Sequence, residues 1–308
     1  MALDTDSTDP QPLQRQHRFG SGSNAVWNGD ALDLLPEVPD GSCALIFADP
    51  PYNIGKRFKD FHDKWPDDKS YSGWCEKWLA LCIDKLAPNG SLYVMASTQS
   101  MPYIDVFLRE RLSVVSRICW HYDSSGVQAR RYFGSLWEPI LHCVKDPLNY
   151  VFNADDIKVE ARTGAQRKLI DYRKDVPTVY SSEKIPGNAW YFPRVRFRMA
   201  EFEDHPSQKP EALLERIIRA SSNAGDLVLD PFAGTFTTCA VAQKLGRRSI
   251  GIERSREYIG IGLRRLSIAD ELDGVPLTAI EKRRKQRNRN GVKSLPSDLA
   301  DGLPFEDA

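Results

Sequence analysis

The stretch Phe47-Ala48-Asp49-Pro50-Pro51-Tyr52 sets a carboxylate, two prolines and a phenol ring directly against the apolar run Cys43 to Ala48. That run has the length and composition of a buried strand. Pro50 and Pro51 lack a backbone N–H and stop such a strand, yet each keeps its carbonyl as an acceptor. Asp49 is therefore expected at the strand's carboxyl end, followed by a rigid turn that fixes Tyr52. In open α/β sheets ligands bind in the crevice outside those ends. The stretch reads as a carboxylate and an aromatic held at a ligand site.

A second constellation lies far downstream, in Leu227-Val228-Leu229-Asp230-Pro231-Phe232-Ala233-Gly234-Thr235. Again a strand ends in Asp-Pro, and a turn with Gly234 lets backbone approach a ligand before a helix begins. It is neither a GxGxxG dinucleotide fingerprint nor a phosphate-binding P-loop. About twenty residues on, Ser249 to Glu253 reads as a strand tipped by a carboxylate, the arrangement that grips ribose hydroxyls in nucleotide-binding folds. The plainer reading is an ordinary βαβ unit whose acid faces solvent.

These residues need a frame. From Ala25 onward short apolar runs alternate with helical patterns, which predicts a mostly parallel, doubly wound α/β sheet. Expected strands are 25–28, 44–48, 91–95, 114–121, 140–144, 227–229 and 249–252. Expected helices are 72–85 and 211–220, the latter capped by Ser207 with Pro210 in its first turn. Residues 1–22 are polar and expected to lack fixed structure. Residues 150–204 break the pattern and read as an insertion rather than core. With 42 basic and 42 acidic residues in 308, net charge argues for no partner, so local clusters must. The six cysteines are scattered, without CxxC or metal spacing, and read as buried thiols; no metal is expected. The absence of a membrane-length apolar run and of a signal peptide points to a cytoplasmic protein.

Taken together, DPPY at 49–52, HPSQKP at 205–210 and DPFAG at 230–234 resemble the amino-methyltransferases of DNA that use S-adenosylmethionine. The order, catalytic motif first and cofactor motif last, is similar to the β class, whose adenine-N6 members carry Asp before PPY. The resemblance spans roughly residues 24–267 and implies a seven-stranded methyltransferase sheet with circularly permuted motifs and a target-recognition insertion. It implies a catalytic half at 23–149, recognition at 150–204, a cofactor half at 205–270 and a basic flexible tail at 271–308. It further implies a donor site at Asp30, Ala31, Asp49, His205, Ser207, Lys209, Asp230, Phe232, Ala233, Gly234, Thr235 and Glu253. Catalysis falls to Asp49, Pro50, Pro51 and Tyr52, and the target base to Tyr52, Arg130, Tyr132 and Phe133, with Arg131 and Trp137 nearby. The usual FxGxG is here Phe232-Ala233-Gly234-Thr235-Phe236, with the second glycine replaced. Duplex DNA is the implied partner, with homodimer formation and a restriction partner left open.

The chemistry suits these residues. An exocyclic adenine amine is a weak nucleophile because its lone pair is delocalised into the ring. Asp49 and the Pro50 carbonyl, each accepting one N–H, favour the pyramidal amine that attacks. Tyr52 is expected to stack on a base extruded from the duplex, worth roughly 1–3 kcal/mol. Carbon-5 cytosine methylation would need a Pro-Cys nucleophile, and that dipeptide is absent. N4-cytosine methylation is the runner-up; RNA adenine or protein glutamine methylation and a catalytically dead DNA-binding module rank below it.

Two basic regions complete the expectations. Arg162, Arg167, Lys168, Arg173, Lys174, Arg194, Arg196 and Arg198 interleave with Tyr172, Tyr180, Trp190 and Tyr191, a composition suited to base readout. Residues 281–290 hold six basic residues against one acid, a net of +5, and are expected to stay extended while touching phosphates.

Overall fold

The apolar runs do form strands, in a computed structural model that describes residues 17–20, 22–58, 61–123, 130–161, 168–173 and 175–292. The strands of the main sheet are β1 (His17–Phe19), β2 (Asn24–Asn28), β3 (Cys43–Ala48), β4 (Leu86–Met95), β5 (Ser113–His121), β6 (Trp137–Val144), β7 (Ala189–Tyr191), β8 (Leu227–Asp230) and β9 (Arg248–Glu253). Among the described residues they make one nine-stranded sheet, ordered β1-β2-β9-β8-β3-β4-β6-β5-β7. β2, β9, β8, β3 and β4 run parallel, β6 opposes both its neighbours, and β7 adds parallel to β5. The strand carrying Asp230 thus lies between those carrying Glu253 and Asp49, although most of the chain separates it from Asp49.

Alternation along β3 shows why helices cover both faces. Ile46 and Ala48 pack with Tyr71, Trp78, Leu79 and Cys82 of α2 (Asp68–Lys85). Leu45 and Phe47 pack with Leu213, Leu214, Ile217 and Ile218 of α4 (Glu211–Ser221). Helices α1 (Ala31–Leu34), α3 (Met101–Arg109), α5 (Thr237–Lys244), α6 (Arg256–Arg265) and α7 (Leu277–Val292) complete the set. No described helix is long and apolar enough to cross a membrane.

Four expectations need correction. Ser207 does not cap α4: Pro210 occupies that position, and the Glu211 N–H is taken by the Glu201 carboxylate at 2.7 Å. Part of the N-terminal stretch is ordered, because His17–Phe19 pair with Asn28–Val26 at the sheet edge; residues 1–16 and 21 lie outside the described residues. The insertion is not wholly outside the core, since Ala189–Tyr191 extend the sheet and Trp190 is buried against Ile118 and Trp120. The start of the basic tail is helical rather than extended. Leu277 and Ile280 pack it against Leu263 and Leu266, and lysine and arginine propagate helix well once that first turn is anchored. Residues 293–308, together with Arg162, Arg167 and Lys174, lie outside the described residues.

The replaced glycine has a local explanation. Phe236 sits in the left-handed region, φ 58°, where a glycine would be at ease. Its fully buried ring fills the space above Gly251 and Gly262, at each of which a Cβ would come within 2.6 Å of the ring. Two glycines elsewhere thus make room for the one that is missing.

Candidate active site

Because β2, β9, β8, β3 and β4 are parallel, their carboxyl ends lie along one edge. Asp30 follows β2, Glu253 ends β9, Asp230 ends β8 and Asp49 follows β3. All four carboxylates line one cavity of about 460 Å³, together with Ala31, Pro50, Pro51, Tyr52, His205, Ser207, Lys209, Phe232, Ala233, Gly234 and Thr235. Every residue assigned above to catalysis or to the donor site meets there.

At one end the groups suit a nucleoside. Asp30 caps α1, accepting the Leu32 N–H at 2.9 Å. Glu253 accepts the N–H groups of Gly234 (2.9 Å) and Ser255 (2.7 Å). Asp230 accepts from the Phe232 N–H (3.0 Å) and the Thr238 hydroxyl (2.5 Å). Burial pushes Asp230 and Glu253 up to about 7, against the pull of those donors. Gly234 has φ 51°, and a Cβ there would stand 3.3 Å from the His205 ring, so both conformation and space call for glycine. His205 is wedged against Tyr258, with ring centroids 4.5 Å apart. Phe232 packs edge-on against Trp78 at 5.0 Å.

At the other end is a largely buried, charged network. Lys209, 7% exposed, places Nζ 2.6 Å from Asp49 Oδ2 and 3.6 Å from Glu138 Oε2. The Tyr52 hydroxyl lies 2.6 Å from Asp49 Oδ1 and 3.1 Å from Glu138 Oε2, two acceptors for its single proton. Tyr122 donates to Glu138 Oε1 at 3.3 Å. Burial lifts the Asp49 carboxyl, with Lys209 pulling it back. Burial also disfavours the Lys209 ammonium, but Asp49 and Glu138 outweigh that and hold it charged. Burial and the two carboxylates keep Tyr52 a neutral phenol. Both oxygens of Asp49 are engaged, Oδ1 by the Tyr52 hydroxyl and Oδ2 by Lys209.

The Tyr52 turn is pinned from below by Asp63, 1% exposed, whose carboxylate accepts the N–H groups of Asn53 (2.6 Å), Tyr52 (3.2 Å) and Ile54 (3.4 Å). Tyr71 donates to the Pro51 carbonyl at 2.8 Å. Phe58, Phe61, Trp65 and Trp74 wall the cavity along this loop.

Of the residues assigned to the target base, Tyr52 lines the cavity; Arg130, Tyr132 and Phe133 do not and are exposed, Phe133 completely. The adjoining residues 124–129 lie outside the described residues. Trp137 lines the cavity, and its neighbour Glu138 is the site residue that sequence reading missed. Its signal was a lone acid in the apolar strand Trp137 to Val144, where an unpaired charge would be costly. Asp63 and Tyr122 had no comparable signal.

Residues 43–264 match a family model described as DNA methylase, of the N6/N4 methyltransferases. The chain is 54% identical over 284 residues to the DNA adenine methyltransferase YhdJ of Escherichia coli K12, covering 92% of this chain and 96% of that protein. It is 34% identical over 274 residues to the type II methyltransferase M.HpaI of Haemophilus parainfluenzae, covering 88% and 79%. The fold is shared with the cytosine-N4-specific PvuII DNA methyltransferase (TM-score 0.64, 17% identity, 86% and 93% covered) and with the M1.HpyAVI–SAM complex (TM-score 0.56, 24% identity, 78% and 98% covered). This chain belongs to the N6/N4 DNA methyltransferase family.

Proposed function

We propose that the cavity is where a methyl group passes from S-adenosylmethionine to the N6 amine of an adenine extruded from duplex DNA. The observation that carries this reading is the single cavity joining Asp49, Pro50 and Tyr52 to the Asp230–Gly234 turn and Glu253. A nucleoside-bearing donor fits the residues present: carboxylates for hydroxyls at Asp30 and Glu253, and at Gly234 a backbone stretch held free of a side chain by the His205 ring. When bound, the donor supplies a methyl carbon already activated by its sulfonium.

The chain's own residues then do the rest. The incoming amine replaces the Tyr52 hydroxyl on Asp49 Oδ1 and gives its second N–H to the Pro50 carbonyl. Lys209 stays on Oδ2 and keeps Asp49 in place. The nitrogen lone pair forms the bond to carbon while the carbon–sulfur bond breaks toward sulfur. The surplus proton left on nitrogen passes to Asp49, whose carboxyl burial has already raised. Tyr52, released from Asp49, offers its ring to the base.

On this reading the motif order is the permuted one of the β class, since the donor strand β8 follows the catalytic strand β3 in the chain. Residues between β6 and β7 supply recognition of the DNA sequence. Methyl transfer to duplex DNA followed by separation of the nucleosides tests the reading. N6-methyladenine is expected, and N4-methylcytosine in its place would overturn the assignment of the base.

A further inference from the structure

The catalytic end of the cavity carries more positive charge than the network around Asp49 employs. Lys209 is matched by Asp49 and Glu138. Lys56, on the loop after Tyr52, and Arg194, on the loop after β7, line the same cavity. Both are half-buried, and among the described residues neither is in an ion pair with a carboxylate. Lys56 Nζ donates to the Pro206 carbonyl at 2.7 Å. The Arg194 guanidinium stands 5.2 Å from the centre of the Tyr122 ring, the ring whose hydroxyl reaches Glu138. Asp63 also lines the cavity, but its oxygens accept the N–H groups of residues 52–54 and it is in an ion pair with neither cation. The carboxylates that act on Lys56 are Asp49 and Glu138, and Lys209 already holds both. Burial, then the charges of Lys209 and Arg194, hold the Lys56 ammonium below its ordinary range. Like charges gathered in a partly dry cleft are unfavourable until an anion joins them.

We propose that Lys56 and Arg194 form an anion site for the phosphodiester flanking the extruded nucleotide. The inference rests on the DNA-methylating reading of the site. A base that reaches Asp49 brings its own backbone phosphates to the rim of the same cavity. There Arg194 offers a planar fork of donors and Lys56 a point charge, the two complementary ways of holding phosphate oxygens. A carboxylate at the methionine end of the donor is the other anion these cations could meet, and experiment separates the two.

Full-length Lys56→Met and Arg194→Met proteins should each bind target DNA with a salt dependence shallower by about one in the log–log slope. The KM for DNA should rise, while donor affinity measured by calorimetry stays within about twofold of wild type. Lys56→Arg and Arg194→Lys, which keep the charge, should restore the slope and guard against a folding defect. A neutral methylphosphonate at the phosphate beside the target adenine should weaken the wild type and cost a Lys56→Met/Arg194→Met double variant nothing further. An unchanged slope overturns the proposal. So does a donor affinity lowered tenfold with the slope intact, which would give the anion to the donor. A wild-type protein that transfers no methyl group to DNA would instead remove the functional reading itself.

Discussion

The Tyr52 hydroxyl donates to Asp49 Oδ1 at 2.6 Å, and the proposed reaction requires them to part. A Tyr52→Phe change removes the competing hydroxyl but keeps the ring. Transfer should stay within about fivefold of wild type, whereas Tyr52→Ala should weaken DNA binding by roughly 1–3 kcal/mol, the worth of stacking one base. Equal losses in both variants, measured as KM for DNA, would show that the hydroxyl and not the ring matters. Glu253 carries a second consequence at this scale. Its carboxyl is raised from 4.5 to about 7 in the fold, so between those values the folded protein holds a proton that the unfolded chain has released. Stability from this group is therefore full below about 4.5 and is lost as pH rises toward 7 and beyond. The difference is at most about 3 kcal/mol, and less because solvent partly reaches the residue. From pH 5 to pH 8 the denaturation midpoint of Glu253→Gln should rise relative to that of wild type; a gap independent of pH would contradict the assignment. The cavity residues legible in the sequence were those in contiguous motifs, such as Asp49 and Gly234; Lys209, expected on the donor, is paired with Asp49 instead. Glu138 and Asp63 escaped because their roles depend on partners 86 and about ten residues away that only the fold supplies.

At the scale of elements, β2 to β6, β8, β9 and the helices α2 and α4 were legible because burial on one or both faces leaves periodic apolar signatures. The cap of α4 was not, since a glutamate ten residues upstream does the work expected of Ser207. Nor was the helix at the chain's basic end, where charge content suggested an extended segment and two anchoring residues, Leu277 and Ile280, decided otherwise. The turn into α5 carries a sharper prediction. Phe236→Gly would relieve a left-handed conformation worth about 1 kcal/mol, but it would also empty the space between Gly251 and Gly262. Deleting a buried ring costs about 3–5 kcal/mol, so the net change should be a destabilisation of about 2–4 kcal/mol in denaturant unfolding. A neutral or stabilising result would mean that the backbone strain, and not the ring, dominates.

For the whole molecule, residues 150–204 have two parts with different duties. Val159–Glu160 pair with Glu183–Lys184, and Ile170–Asp171 with Thr178–Val179, in small ribbons outside the main sheet. Trp190 and Arg194, by contrast, belong to the core and to the cavity. Exchanging 159–184 for a relative's residues should therefore change the methylated sequence while sparing methyl transfer; exchanging 150–204 entire should damage both. Sequencing of methylated DNA would reveal an unaltered site if recognition lies elsewhere. Mere composition could not divide the segment in this way, because aromatic and basic residues occur on both sides of the boundary.

The central claim is that Asp49 acts on the amine and not on the donor or the fold. It is tested most directly by single-turnover methyl transfer to duplex DNA in Asp49→Ala beside wild type, with donor affinity measured on the same preparations. Transfer should fall by at least about a hundredfold, as expected when a positioned transition-state partner is removed, with donor affinity within about threefold. Transfer that survives, or transfer and donor binding lost together, would contradict it.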